Sequence, residues 1–492
     1  MDSGHDSYKW WALTCTSFGM LLATINSGTL IIALPDLERS LHTSLLELVW
    51  VILVYMIAST VLVLSAGRLS DQFGRKQAYV GGFVLFAIAS LGAGFAANGT
   101  QLILWRILQG IGGSFLFANA AAIVTDAFPR EQLGLAMGTN TMVAAVGLVI
   151  GPVLGGALVA INWPWVFWFN VPLALAGSAW AALILHEVAR RDEVRTFDLA
   201  GTLTFLIGLT GLVLGISKGG LSGWGSPLVV GGLIAAAVFL PAFVVIERHH
   251  RAPMLDLSIF SNRLFAAASG AAFINGLARF ALMFLFVFYF QGVQGDTPIV
   301  AGIKLAPLAI GMLISSPLAG IWADRRGSRG MAIAGMLVTA SGLALMTTLG
   351  RDTTYWASGT FMLIVGIGSG MFNSPNTAAM MGSVGANRRG IAAGARVLVQ
   401  NTGAVISIAF VLAVVTSAVP KNVLFKVFSG LANHISNSQL TPFIANMHTA
   451  LWVLAAVSVL GAFVAAARPA HAGELEVGEG GTGARREVEA AA

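Results

Sequence analysis

The chain has 492 residues, of which 56% are hydrophobic and only 10% charged. A soluble domain carries about 25% charged residues and cannot bury so much apolar surface, so the composition excludes a soluble globular protein and implies an integral membrane protein. The formal net charge of +6 does not point to nucleic acid, because the basic residues sit in short loops rather than on one face.

In chain order, the first apolar run is too long for the core of a signal peptide and has no clear small-residue cleavage site, so it is expected to persist as helix 1. It contains Cys15, the single cysteine, which excludes an intramolecular disulfide. Fourteen runs are long enough to span a bilayer: 10–35, 45–67, 77–97, 101–128, 133–161, 164–185, 198–217, 227–247, 264–291, 298–323, 330–349, 355–381, 390–418 and 444–467. With the N-terminus in the cytoplasm, inner loops and tails hold 19 of the 28 Lys and Arg residues and outer segments six. That asymmetry predicts both termini on the cytoplasmic side. The remaining three, Arg106, Arg279 and Arg396, fall inside predicted helices.

Between runs 2 and 3 lies a polar turn, 67–76, with Gly67, Arg68, Asp71, Gly74, Arg75 and Lys76. Glycines permit a tight crossing, Asp71 can cap the next helix, and the basic residues hold the loop in the cytoplasm. Its skeleton returns at Gly320, Asp324, Gly327 and Arg329, and three of those pairs (67 with 320, 71 with 324, 74 with 327) share one offset of 253 residues. The repeat predicts two similar halves. A six-helix bundle over 1–186 is followed by a connector with inserted helices 7 and 8 over 187–262. A second six-helix bundle spans 263–467, and a disordered cytoplasmic tail 468–492. The outer segment 419–443, with Val423, Leu424, Val427, Phe428 and Leu431, reads as an interfacial helix.

Helix 4 carries Arg106, Gln109, Gly110, Gly112 and Gly113, and helix 5 carries Gly147, Gly151, Pro152, Gly155 and Gly156. Small residues at four-residue spacing let helix backbones approach, and Pro152 removes a backbone donor and bends its helix. Such helices suit either a bundle that rocks between two packings or plain close packing.

The turn at 67–76 closely resembles the loop between helices 2 and 3 of the major facilitator superfamily. The Arg106–Gln109–Gly110 run and the Gly-Pro run of helix 5 resemble two further signatures, the second typical of its antiporters. The stretch 163–172, rich in Trp and Phe and ending at Asn170, Val171 and Pro172, resembles the fourteen-helix drug:proton antiporter family. The resemblance covers about residues 10–467. It implies an all-α membrane protein of two pseudo-symmetric six-helix bundles plus two inserted helices around a central cavity. It also implies alternating access and export of amphipathic, often cationic, compounds in exchange for protons. One departure stands out. The family usually has an Asp shortly before Ala-Leu-Pro in helix 1, and here Asn26 precedes Ala33, Leu34 and Pro35. Asparagine does not titrate, which puts proton coupling at this site, and selectivity for cations, in question.

An Arg at mid-membrane costs about 2.5–3.5 kcal/mol on insertion scales, so each needs a partner, water or a job. Arg396 lies near the start of its helix and can snorkel to the inner surface. Arg106 has the family's usual place, where structural and coupling roles are both open. Arg279 sits near the centre of a 28-residue run, and the 253-residue offset maps it onto Asn26. Asn275, one turn earlier, shares its helical face, and Phe280, Met283 and Phe284 beside it offer an adaptable apolar wall. Asn119, Asn140, Asn275, Asn373, Asn376, Gln400 and Asn401 either line the same path or bond helix to helix. Asp126 either closes a gate with a basic loop residue or caps helix 4.

No Lys follows a Gly, so no Walker-type phosphate loop exists. No convergent His, Asp or Glu marks an enzyme or a metal site. The expectation is therefore a proton-motive secondary exporter of lipophilic small molecules in the cytoplasmic membrane, with no cofactor, metal or nucleic-acid partner. The alternatives are an exporter of acidic or zwitterionic lipophiles or lipids without helix-1 coupling and, from another class, a polytopic membrane enzyme.

Overall fold

The structure, a computed structural model, describes residues 3–129, 132–187, 198–250, 253–384, 389–417, 419–428 and 436–468. The first half holds α1 (Ser3–Leu41), α2 (Leu45–Phe73), α3 (Arg75–Gly94), α4 (Gly99–Ala127), α5 (Leu133–Ile161), the short α6 (Trp165–Trp168) and α7 (Asn170–Ile184). The inserted pair is α8 (Leu199–Ser222) and α9 (Pro227–His249). The second half holds α10 (Arg263–Phe288), α11 (Pro298–Arg326), α12 (Ser328–Met346), α13 (Tyr355–Gly382), α14 (Arg389–Thr416), the short α15 (Lys421–Phe428) and α16 (Asn437–Ala466).

Among the described residues, 13 helical spans are long and apolar enough to cross a membrane, with α6 and α7 together making one of them. The fifth predicted crossing is α5, whose 29 residues reach about 43 Å at 1.5 Å per residue, beyond a hydrocarbon core of about 30 Å. Helix starts follow local capping chemistry. Ser44 and Glu47 form a reciprocal capping box on α2, Asn98 caps α4, and Thr297 followed by Pro298 opens α11.

The two halves repeat one packing scheme. In the first, α1 packs on α5, α2 and α3 on α4, and α3 on α7. In the second, α10 packs on α14, α11 and α12 on α13, and α12 on α16. The bundles meet where α5 lies against α11 and α2 against α14. Those two seams are equivalents of one another under the same repeat. The inserted helices α8 and α9 pair with each other, and α8 also packs on α14 and α2.

The repeated turn is tighter than the sequence suggests. Residues 67–73 continue α2, and the chain reverses at Gly74 alone, with φ +107°. Its counterpart Gly327 (φ +84°) does the same between α11 and α12. Both occupy the left-handed region where a side chain is strained. Gly67 and Gly320 therefore lie within helices rather than in the turn, and a Cβ on Gly67 would meet only Ala118, at 3.8 Å. Asp71 falls in the last turn of α2 and is not the cap residue of α3. That place belongs to Gly74, and the Glu187 carboxylate accepts from the backbone N–H of Arg75 (2.9 Å) and Lys76 (3.2 Å) instead. For Asp71 and Asp324 the backbone alone is described; their side chains lie outside the described residues. So does the expected tail from 469 onward.

The segment after α14 also differs from expectation. The short helix α15 is present, but Val423, Leu424 and Val427 are buried in the protein. The Val427 carbonyl backs against Gly292, in the wider helical turn Tyr289–Val293 that ends α10. These three side chains face protein rather than the membrane surface; the Phe428 side chain and Leu431 lie outside the described residues.

Candidate functional site

The Gly-Pro motif of α5 stands where the two bundles touch. Gly147 and Gly151 face α1, against Thr24 and Gly28. Gly156 faces the other way, and a Cβ there would come within 2.6 Å of the Ile299 Cα in α11. Gly302 of α11 answers it, since a Cβ there would come to 2.3 Å from the Pro152 carbonyl oxygen. Glycine on both sides is what allows the ends of α5 and α11 remote from the Gly74 turn to close on each other.

Inside the first bundle the predicted polar residues assemble into one network. The Arg106 guanidinium donates from Nε to the Val51 carbonyl (3.0 Å) and from Nη1 to Gln109 Oε1. Its carbon lies 4.2 Å from the centre of the Tyr55 ring. Gln109 Nε2 donates to Asn26 Oδ1 (3.1 Å) and to Ser90 Oγ (2.7 Å), and Asn170 Nδ2 adds a second donor to Asn26 Oδ1 (3.3 Å). Asn26 Nδ2 has no partner although Asn26 is buried. The sequence points to Asn26, Arg106 and Gln109 as site candidates and to Asn170 only within the 163–172 motif, but not to Ser90 or Tyr55.

The second bundle holds a different arrangement. Arg279 is buried and its carbon lies 4.4 Å from the Phe280 ring centre. Among the described residues its Nη1 reaches only the Met312 sulfur, at 3.9 Å, and its Nε has no partner. Thioether sulfur is a weak acceptor. Arg396 stands near enough that the two positive charges repel. Arg396 is half-buried. It donates to Gln400 Oε1 (3.2 Å), Gln400 Nε2 to Asn373 Oδ1 (3.3 Å), and Asn373 Nδ2 to Asn275 Oδ1 (3.4 Å). Among the described residues no carboxylate pairs with Arg279 or Arg396. A buried cation with open donors and no counter-charge is costly unless an anion or water completes it.

Other predicted residues bond helix to helix where the structure places them. Asn140 accepts from Ser17 Oγ (2.6 Å) and donates to Thr16, tying α5 to α1. Asn119 donates to Ser70 Oγ (2.8 Å), tying α4 to α2. Asn376 accepts from Arg468, a buried cation just past α16 that the sequence reading assigned to the tail. Burial pushes the Arg468 guanidinium down to about 10, still charged at neutral pH. Asp126 is not a cap, for it forms an ion pair with Arg75 across the ends of α4 and α3.

A cavity of about 620 Å³ lies elsewhere, between α2 and α4 on one side and α8 and α9 on the other. Trp50, Ile107, Leu206 and Leu228 are among its apolar walls. It has the size of a small-molecule site but none of the convergent polar groups.

Residues 16–408 match the family model of the Major Facilitator Superfamily. The chain is 30% identical over 416 residues to the multidrug transporter protein MdtP of Bacillus subtilis, covering 84% of this chain and 76% of that one. It is 32% identical over 427 residues to the puromycin resistance protein pur8 of Streptomyces alboniger, covering 84% and 83%. In fold it is similar to the crystal structure of the human organic anion transporter MFSD10 (TM-score 0.63, 14% identity, 93% of this chain and 99% of that one). The repeated six-helix packing, the paired Gly74 and Gly327 turns and these relatives agree: the chain belongs to the Major Facilitator Superfamily and is a multi-pass membrane protein of its small-molecule exporter type, a secondary transporter and not an enzyme.

Proposed function

We propose that this transporter exports lipophilic molecules bearing an acidic or zwitterionic group, with Arg279 as the residue that meets the negative charge and Arg396 beside it. The observation that carries the reading is the pair of neighbouring arginines in the second bundle, one with an unpartnered Nε, with no carboxylate against them among the described residues. An anionic group that reaches Arg279 completes the guanidinium donors, and Phe280, Met283 and Phe284 take the apolar remainder. Asn26, by contrast, bonds within the first bundle's network, and it is Asn275 that reaches toward Arg396 through Asn373 and Gln400.

The division of labour is part of the same proposal. Residues 1–186 and 263–467 rock as two bundles, 187–262 connects them, and both termini lie in the cytoplasm. The protein works in the cytoplasmic membrane, within the lipid bilayer and driven by protons. Gly67, Gly74, Asp71, Arg75 and Asp324 act at the cytoplasmic gate, and Gly147, Gly151 and Pro152 at the flexing of α5. Purified protein in liposomes tests the substrate reading with acidic, zwitterionic, neutral and cationic lipophiles. Arg279→Gln is expected to lose the acidic and zwitterionic substrates selectively, and Arg279→Lys to keep part of that transport. A Gln variant that carries all classes as wild type does overturns it.

A further inference from the structure

At the Gly74-turn side of the inserted helices, two carboxyl groups are buried together. Asp198 caps α8: its Oδ1 accepts from the Gly201 N–H (2.7 Å), and its Oδ2 from the Met254 N–H (3.3 Å). Glu247, in the last turn of α9, accepts at Oε2 from the Leu255 N–H (2.9 Å). Each residue is 2% exposed, and among the described residues Glu247 Oε1 has no hydrogen-bond partner. The open oxygen points at Asp198. A Cβ on Gly201 would lie 2.5 Å from Asp198 Oδ2 and 2.6 Å from Glu247 Oε1, so glycine is what leaves the two oxygens room to face each other.

Two facing carboxylates repel strongly where water is excluded, and one proton between them removes both the repulsion and the open acceptor. A metal cation fits poorly in the same place. Three backbone N–H donors already point at these oxygens, and a hard cation asks for several oxygen ligands. The charged groups facing the pair are His250, whose Nδ1 is 4.0 Å from Asp198 Oδ2, and Arg68 at the end of α2, which acts electrostatically on Glu247.

We propose that Asp198 and Glu247 form a proton-binding site, with one proton held between Asp198 Oδ2 and Glu247 Oε1, that fastens α8 to α9 and to the chain entering the second bundle. When the proton leaves to water, the pair gains one negative charge beside Arg68 and repels itself. The place is suited to relay that change. Thr202 of α8 bonds to Ser65 of α2 (3.0 Å) and also reaches Met254 (3.5 Å), so the start of α8 touches the first bundle and the connector together. The site goes beyond the substrate reading and does not depend on which molecule is carried.

Infrared difference spectra of the purified transporter between acid and alkaline pH test it. Wild type is expected to show the C=O band of a protonated carboxylic acid that disappears as pH rises. Glu247→Gln should lose that band at every pH, because the amide supplies the missing donor permanently. Asp198→Asn, which retains a helix-capping side chain, should lose it too and serves if Glu247→Gln does not fold. The folded state alone holds this proton, so the wild-type Tm is expected to fall as pH rises through the titration, and both variants to lose that dependence. A band unmoved by either substitution, no titrating band in wild type, or a Tm raised by sodium over choline rather than by acid each overturns the proposal.

Discussion

Arg106 and Arg279 are the same side chain under the same constraint, both buried within membrane helices, and they are finished differently. Arg106 has a backbone carbonyl on Nε, an amide oxygen on Nη1 and an aromatic ring across its face. Arg279 has the ring of Phe280, one distant sulfur and an Nε with nothing. A buried charge whose Nε and Nη1 are both answered by protein is part of the scaffold. One whose donors are left open holds a cost that only something from outside removes. The first bundle is in this sense closed and the second is waiting.

The hardest way to break the comparison is Arg106→Gln. It removes two hydrogen bonds from a charged group and leaves Gln109 Oε1 without its donor, a loss on the order of 3 kcal/mol. Thermal unfolding in detergent should fall sharply, and export of every substrate with it. A variant as stable as wild type would show that Arg106 is not scaffold. Arg279→Gln should do the opposite. Removing an uncompensated buried charge is expected to leave Tm unchanged or raised, while acidic substrates lose about tenfold or more in export, the equivalent of about 1.4 kcal/mol of recognition.

Asn26→Asp sharpens the comparison by making the closed side titratable. Asp keeps the acceptor that Gln109 and Asn170 use and replaces the unpartnered Nδ2 with a second oxygen. Transport by the variant should show an altered pH dependence, or admit cationic lipophiles. Identical substrates and identical pH profiles would place position 26 outside the transport path.

The helices and their count were legible because a bilayer leaves the backbone no alternative to helix, and long apolar runs report it directly. The doubling was legible because Gly74 and Gly327 hold a conformation that only glycine takes easily. The cap on α3 was not. It comes from Glu187, more than a hundred residues further on, and no local pattern announces a partner at that distance. Arg106 and Arg279 were both visible as costly residues, yet which one is answered depends on Val51, Gln109, Met312 and Phe280 coming near, a matter of packing. Arg468 was assigned to the tail because position alone does not show that Asn376 waits for it. The Asp198–Glu247 pair was invisible for the same reason, since each acid lies at a helix end and reads as solvated.

A third arginine is the mild case between the other two, and the smallest expected effect belongs to it. Arg75 pairs with Asp126 at the ends of α3 and α4, their side chains 24% and 29% exposed. Water competes there for both groups, so the pair contributes little to stability, about 0.2–1 kcal/mol, and salt weakens it further. The backbone N–H of Arg75 is held by Glu187 regardless, so the end of α3 stays capped when the side-chain partner goes. Asp126→Asn is therefore expected to shift Tm by no more than a few degrees, and to lose even that difference in high salt. If the pair instead latches the gate in one state of the cycle, the same substitution changes the transport rate well beyond its effect on Tm. Paired measurement of rate and Tm, with Arg75→Gln and the double variant completing the cycle, separates the two. A rate loss shared non-additively by both positions assigns the contact to the gate, and additive small effects leave it a surface ion pair.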